Sequence, residues 1–341
     1  MKKMKFLFAG CGSVGRRHIR NLKALIPCDI LAYRVRNEDL GDFEREHEIQ
    51  TFGDLDQALG ERPDAVFVTN PTRFHLPVAF KAAERGCPLF IEKPLSNTLE
   101  GVDEFIELCE KKKIPVLLGY KMRFHKSIQL IKRLIDGGSV GKILTGRAHY
   151  GGYLPEWHPW EDYRRMYSSR QELGGGIVLD ATHEIDYLYW LLGDVAEVKA
   201  FCGKLSPLEI ATEDTAEILL RFQSGALGTV HMTYCQRPEF RACEVIGTDG
   251  TLFWDQHRKR VEVYRPEKKE WESYPEEEDY DLNQMFVEEL KHFLACLRGE
   301  EKPIHNLYDS KRILEIALLA KQDGLPRETR EVPFVSGKGL R

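Results

Sequence analysis

Six residues, Gly10-Cys11-Gly12-Ser13-Val14-Gly15, constrain this chain more than any others because of what flanks them. The apolar run at 5–9 before them reads as a buried strand, and a helical pattern over 13–26 follows. GxGxxG between a strand and a helix is the phosphate-binding turn of a dinucleotide fold. Gly10 permits the tight turn, Gly12 lets a pyrophosphate approach the backbone, and Gly15 lets helix and strand pack closely. Ser13 and Val14 open a helix whose N-terminal amides would face the phosphates.

The next hundred residues keep the same rhythm. Strands are expected at 30–34, 65–69, 89–92 and 116–119, with helices near 54–60, 75–86 and 98–113. Such alternation predicts an α/β unit, a doubly wound parallel sheet of the Rossmann type with both faces covered, over residues 1–121. After Tyr120 the pattern changes. A helix at 126–136, a strand at 142–150, an aromatic loop and a buried helix at 177–192 precede a series of strands between 195 and 264. Turns such as Gln223-Ser224-Gly225 and Thr248-Asp249-Gly250 predict an antiparallel meander in a second domain, residues 122–341. Helices at 282–298 and 306–322 close the chain and are free to pack back on the first domain.

Bulk properties narrow the partners. A formal net charge of −5 gives no electrostatic reason to expect nucleic acid or an anionic membrane. The eight cysteines are scattered, with no CxxC pair, as expected of reduced thiols in a cytoplasm. The apolar run after Lys5 is shorter than the roughly 7–15 residues of an export signal. No segment approaches the roughly 20 apolar residues of a membrane span. His183-Glu184 is not HExxH, no metal-ligand cluster stands out, and no metal is expected.

Chemistry-bearing residues gather at the strand ends. Thr69-Asn70-Pro71, then His75, would expose backbone to a dinucleotide after the third strand expected here. Phe90-Ile91-Glu92-Lys93-Pro94 delivers a Glu-Lys pair to a strand end that Pro94 terminates. Lys93 would face whatever the glycine loop holds, unless Glu92 neutralises it as a structural ion pair. The second strand ends in Arg34 and Arg36, with no acid until Glu38, which favours NADP over NAD. In the expected helix after Gly174-Gly175-Gly176, one stripe carries Ala181, Ile185, Leu188 and Leu192, and a different face carries Asp180, His183 and Tyr187. That second face either points at a site or holds a core histidine beside its own carboxylate.

Together these blocks resemble the Gfo/Idh/MocA oxidoreductases, relatives of glucose–fructose oxidoreductase and inositol dehydrogenase. The likeness runs from Gly10-Cys11-Gly12 to His18, through Thr69-Asn70-Pro71 and Glu92-Lys93-Pro94, to Asp180, His183 and Glu213-Asp214-Thr215-Ala216. It implies a second domain with a large open, mainly antiparallel sheet through which subunits assemble as a homodimer or homotetramer. It implies that Lys93 is the catalytic lysine and that Asp180 and His183 are the acid/histidine pair. Many members have DxxxH where this chain has DxxH, which leaves open whether Asp180 or Asp186 partners His183. Both spacings keep the two side chains on one helical face.

The resemblance also implies a substrate cleft lined from Tyr120 and Arg123. The aromatic segment containing Trp157, Tyr163 and Arg164 is the other candidate for it, since aromatic faces stack on sugar rings. Arg123 and Arg164 are candidates for an anionic substrate group. The same segment fits a subunit interface equally well. The expectation is an NAD(P)-dependent oxidoreductase acting on a sugar, sugar acid, polyol or nucleotide sugar. A non-catalytic dinucleotide sensor and a cofactor-assisted glycoside hydrolase are the alternatives.

Overall fold

A computed structural model of the chain describes residues 3–35 and 40–324; Arg36 and Glu38 lie outside them. The first sheet has strands β1 (Met4–Ala9), β2 (Cys28–Tyr33), β3 (Ile49–Phe52), β4 (Ala65–Val68), β5 (Leu89–Ile91) and β6 (Val116–Leu118). All are parallel, in the order β3-β2-β1-β4-β5-β6. In this doubly wound order the winding reverses between β1 and β4, and a crevice opens beyond their carboxyl ends. Helix α1 (Ser13–Leu25) covers the face bearing Phe6, Phe8, Phe67 and Phe90. Helices α3 (Leu55–Gly60), α4 (His75–Glu84) and α5 (Val102–Lys112) cover the face bearing Leu7, Val66 and Leu89. Burial on both faces is why these strands read as continuous apolar runs.

Two elements of this sheet region, α2 (Asp42–Glu46) and β3, were not expected from sequence. Strand β3 is an edge strand, Ile-Gln-Thr-Phe, with two exposed residues, so it carries little apolar signature.

The chain then crosses through α6 (Lys126–Asp136) into a second sheet. Its strands are β7 (Ile143–Gly151), β8 (Val195–Gly203), β9 (Thr215–Phe222), β10 (Leu227–Thr233), β11 (Phe240–Gly247), β12 (Thr251–Asp255), β13 (Arg260–Arg265) and β14 (Glu270–Pro275). Their order is β14-β13-β12-β11-β7-β10-β9-β8. The sheet is antiparallel except that β7 inserts between β10 and β11 and runs parallel to β10, so the expected meander is interrupted there. Polar β14, another edge strand, was also missed.

Between β7 and β8 lie α7 (Leu154–Trp157), α8 (Ile177–Asp180) and α9 (Thr182–Leu192). The single helix expected at 177–192 is thus two, broken at Ala181 (φ −99°, ψ 33°). Helix α9 and the terminal helix α11 (Leu307–Asp323) bury one face of the sheet, while Phe201, Leu219 and Leu227 stay exposed on the other. Helix α10 (Asn283–Leu297) returns to the first sheet, where Phe293 meets Phe67 and Phe90 edge-on at 5.4 and 5.6 Å. The two sheets are therefore locked together beside the crevice.

Candidate active site

The glycine loop has the shape its residues predict. Gly10 has φ +103°, and a Cβ there would lie 2.8 Å from the backbone of Asn70. A Cβ on Gly15 would lie 2.7 Å from the Gly10 carbonyl, whereas one on Gly12 would meet nothing within 4 Å. Packing therefore requires Gly10 and Gly15, and Gly12 leaves open the space a pyrophosphate needs. The residues fit a dinucleotide. Thr69 Oγ1 donates to the Gly10 carbonyl at 2.6 Å, fastening the end of β4 to the loop. Ser13 lies 3.5 Å from His158 Nε2, so the aromatic segment reaches across the crevice to the loop. Arg34 directly follows β2, at the ribose end of such a site.

At the end of β5 the neighbours Glu92 and Lys93 part company. Glu92 bonds His18 of α1 at 2.7 Å, and Gly119 makes room for it, since a Cβ there would sit 3.0 Å from the carboxylate. Burial works to raise the Glu92 carboxyl, but His18, Lys93 and Lys121 hold it below the ordinary range. Lys93 instead extends to the second domain, where its ammonium donates to the Asp180 carbonyl and lies 3.3 Å from Asp180 Oδ1. The reading in which Glu92 neutralises Lys93 is thereby corrected. His75 is 1% exposed, its Nδ1 and Nε2 each 2.8 Å from the carbonyls of Pro94 and Asn70. It braces two strand ends and has no surface left for a cofactor. Asn70 keeps a buried Oδ1 without a partner, beside half-buried Pro71.

Asp180 is the hub of the opposite wall. Tyr167, Ser168 and Tyr234 donate to its carboxylate at 2.5, 2.7 and 3.0 Å. Burial alone would raise this carboxyl, yet Lys93 and the three hydroxyls keep it below the usual range. The glycine triplet makes the arrangement possible. A Cβ on Gly175 would lie 2.2 Å from the Tyr167 carbonyl, and one on Gly176 would lie 2.3 Å from Glu213. Only a chain without side chains there can press the Tyr167-Ser168 turn against the start of α8.

His183 follows the break and is 4% exposed. Burial first, then the cations of Lys93, Lys121 and Arg241, push its imidazole well below the histidine range, so it is neutral. Its Nδ1 has no hydrogen-bond partner. Neither carboxylate proposed as its partner pairs with it. Asp180 serves Lys93, and Asp186 makes a bidentate pair with Arg123 at 2.7–3.1 Å. Tyr187 leaves the expected face too, its hydroxyl donating to the Ala242 carbonyl under the sheet.

Several substrate candidates find other work. Arg123 is buried and fully engaged by Asp186, so it is not available to a substrate anion. Tyr120 is 0% exposed and stands edge-on behind His183 and His305, supporting the imidazole rather than meeting a ligand. Arg164 is tied to Asp162 and Glu209 at 2.8 and 2.7 Å on the surface. The Tyr163 hydroxyl accepts from the Glu209 amide. Trp157 stays near the site, packed edge-on against Tyr234 at 5.3 Å with an unpartnered Nε1. Sequence reasoning missed the Tyr167-Ser168 turn, Tyr234 and Arg241, which come from three separate places in the chain and carry no local motif, while Lys121 lies in the segment 120–125 expected to line the cleft.

A doubly wound sheet with an open glycine loop, a bridging lysine and a neutral buried histidine defines the class, an NAD-binding oxidoreductase. Residues 4–120 match the model of an oxidoreductase family with an NAD-binding Rossmann fold, and residues 128–253 match the GFO/IDH/MocA C-terminal domain. The chain is 30% identical to myo-inositol 2-dehydrogenase of Thermotoga maritima over 336 residues, 94% of this chain and 96% of that one. It is 28% identical to scyllo-inositol 2-dehydrogenase (NAD(+)) of Bacillus subtilis, over 93% and 94% of the two chains. Among solved structures, levoglucosan dehydrogenase in complex with NADH and levoglucosan superposes with a TM-score of 0.86 at 18% identity, over 95% and 97% of the chains. The chain belongs to the GFO/IDH/MocA oxidoreductase family.

Proposed function

We propose that this protein transfers hydride between a nicotinamide and a hydroxyl-bearing carbon of a sugar, sugar acid, polyol or nucleotide sugar. The observation that carries the reading is Lys93, which starts at the strand end facing the glycine loop and ends on Asp180 of the other wall, with neutral His183 beside it. The dinucleotide, held by the glycine loop and the ends of β4 and β5, supplies the hydride acceptor or donor. Lys93 Nζ, steadied by Asp180, donates to the reacting oxygen. Neutral His183 takes the hydroxyl proton in oxidation, and in reduction the imidazolium form gives it back. Asp180 positions Lys93, and its three hydroxyl partners fix Asp180. The cofactor falls to residues 1–121, which also lend Lys93 to the substrate, and residues 122–341 supply the opposite wall of the substrate site.

Arg34 at the end of β2 supports acceptance of a 2′-phosphate, hence NADP. The apolar residues Phe201, Leu219 and Leu227 on the open sheet face support assembly into a homodimer or homotetramer. Eight unpaired cysteines support a cytoplasmic location.

The test is Lys93→Met. Turnover of sugars and sugar acids, followed by nicotinamide absorbance, should fall by about 10²–10⁴. NADP and NAD affinities, titrated on the same protein, should barely move, with NADP the tighter. Wild-type turnover by the variant would remove Lys93 from the chemistry.

A further inference from the structure

A cavity of about 450 Å³ lies between α1, the start of α10 and the β7–β11 end of the second sheet, and one of its lining residues, Lys121, is near enough to Lys93 to feel its charge. Three cations line it, Arg17, Lys121 and Arg241, but they are not alike. Arg241 is spoken for by Glu184 at 2.8 Å and lies over the Tyr150 ring. Arg17 and Lys121 have no carboxylate or hydrogen-bond partner among the described residues. They share the ring of Phe286, at 4.6 and 4.4 Å from its centroid. Every other buried cation near the site has a carboxylate: Lys93 has Asp180, Arg123 has Asp186, Arg241 has Glu184.

An ammonium in this setting is costly. Burial, then Arg241 and Lys93, then Arg17, push the Lys121 amine down to about 8, with Glu92 alone opposing them. Glu92 is already bonded to His18, and burial raises the Glu289 carboxyl of α10 well above the ordinary range. A ring between two cations softens the repulsion without cancelling it. The missing partner is an anion brought from outside.

We propose that Lys121 and Arg17 bind a carboxylate of the substrate, which makes the preferred substrate a sugar acid. This rests on the oxidoreductase reading and deepens it. One carboxylate has two oxygens, one for each cation, while its hydroxyl-bearing carbon lies toward Lys93 and His183. Glu239 and Asp281, on the same lining, oppose any anion, but a doubly charged phosphate about twice as strongly as a singly charged carboxylate. Lys121 thus takes the role that Arg123 and Arg164 cannot fill.

The experiment titrates D-glucuronate, D-galacturonate and L-tartrate, each beside D-glucose, D-galactose and L-threitol, into the NADPH- or NADH-loaded protein by calorimetry. D-glucose 6-phosphate is the phosphate control, and turnover is followed in parallel. At least one acid should bind about tenfold or more tighter than its neutral counterpart. Lys121→Met should erase that preference while leaving the neutral compound and the dinucleotide unaffected. Lys121→Arg should retain it, and should keep it above pH 8, where the wild type loses it as its amine deprotonates. The groups facing Lys121 in this comparison are Arg17, Glu92, Lys93, Arg241 and Glu289. The idea is overturned by equal or tighter binding of neutral compounds, by tighter binding of the phosphate, by a preference that survives Lys121→Met, or by no measurable binding of any acid. Acid-selective binding without hydride transfer would leave the anion site standing and remove the oxidoreductase reading. Turnover of neutral sugars with no acid preference would do the reverse.

Discussion

Two places in the α8–α9 segment use the same ingredients to opposite effect. At its start Asp180 meets Lys93, and in its middle Asp186 meets Arg123; all four side chains are largely buried. The Arg123–Asp186 pair is closed, bidentate and within 3.1 Å, with 2% and 0% of the two side chains exposed. The Lys93–Asp180 pair is open. Its ammonium–carboxylate distance is 3.3 Å, the lysine side chain is 13% exposed, and three hydroxyls share the carboxylate. A planar guanidinium that fills a carboxylate locks Arg123 onto α9. A point-charge ammonium on a carboxylate already shared with hydroxyls keeps a proton to offer.

If that contrast is right, breaking the closed pair should cost stability first. Arg123→Met leaves Asp186 buried and uncompensated, a loss of about 3–5 kcal/mol. Urea unfolding would measure it, and Arg123→Met with Asp186→Leu should recover much of the loss. A loss under about 1 kcal/mol would mean the pair is not the lock described.

The open pair should fail in the other direction. Asp180→Asn keeps the shape and, with its oxygen at the Oδ2 position, still accepts from Ser168 and Tyr234, but its amide faces Tyr167 and no longer attracts the Lys93 ammonium. Turnover should drop by about 10²-fold or more. The urea midpoint should move by less than half of the Arg123→Met shift. If the two variants swapped effects, the roles of the two pairs would have to be exchanged.

Which parts of this contrast the sequence displays follows from where the partners sit. The glycine loop, the Glu92-Lys93-Pro94 turn and the Gly174-to-His183 segment are contiguous, so backbone physics writes them locally. Edge strands β3 and β14 went unseen because one paired side and exposed faces leave no apolar period. The ion pairs are invisible for another reason. His18–Glu92, Arg123–Asp186 and Arg241–Glu184 join residues far apart in sequence, each an ordinary charge until the chain folds. Even the DxxH spacing misled, because Ala181 breaks the helix and sends Asp180 and His183 to different partners.

Glu289 extends the comparison to a carboxylate with no cation at all. It is 0% exposed on α10, and neither oxygen has a partner among the described residues. Burial, with Glu92 and Asp186 adding to it and Lys121 opposing, raises it well above 4.5. The folded state therefore keeps a proton that the unfolded chain releases above about pH 4.5. Stability from this group is fully present below that pH and is lost as pH rises toward the folded-state pKa, by at most ~1.4 kcal/mol per pH unit. Glu289→Met should remove the slope, so the gap in thermal midpoint between variant and wild type should widen from about pH 5 to about pH 7. Parallel curves would show Glu289 ionised in the fold. It would then be the carboxylate that balances Lys121, and the closed and open pairs would be joined by a third pair, removing the vacancy assigned to the substrate.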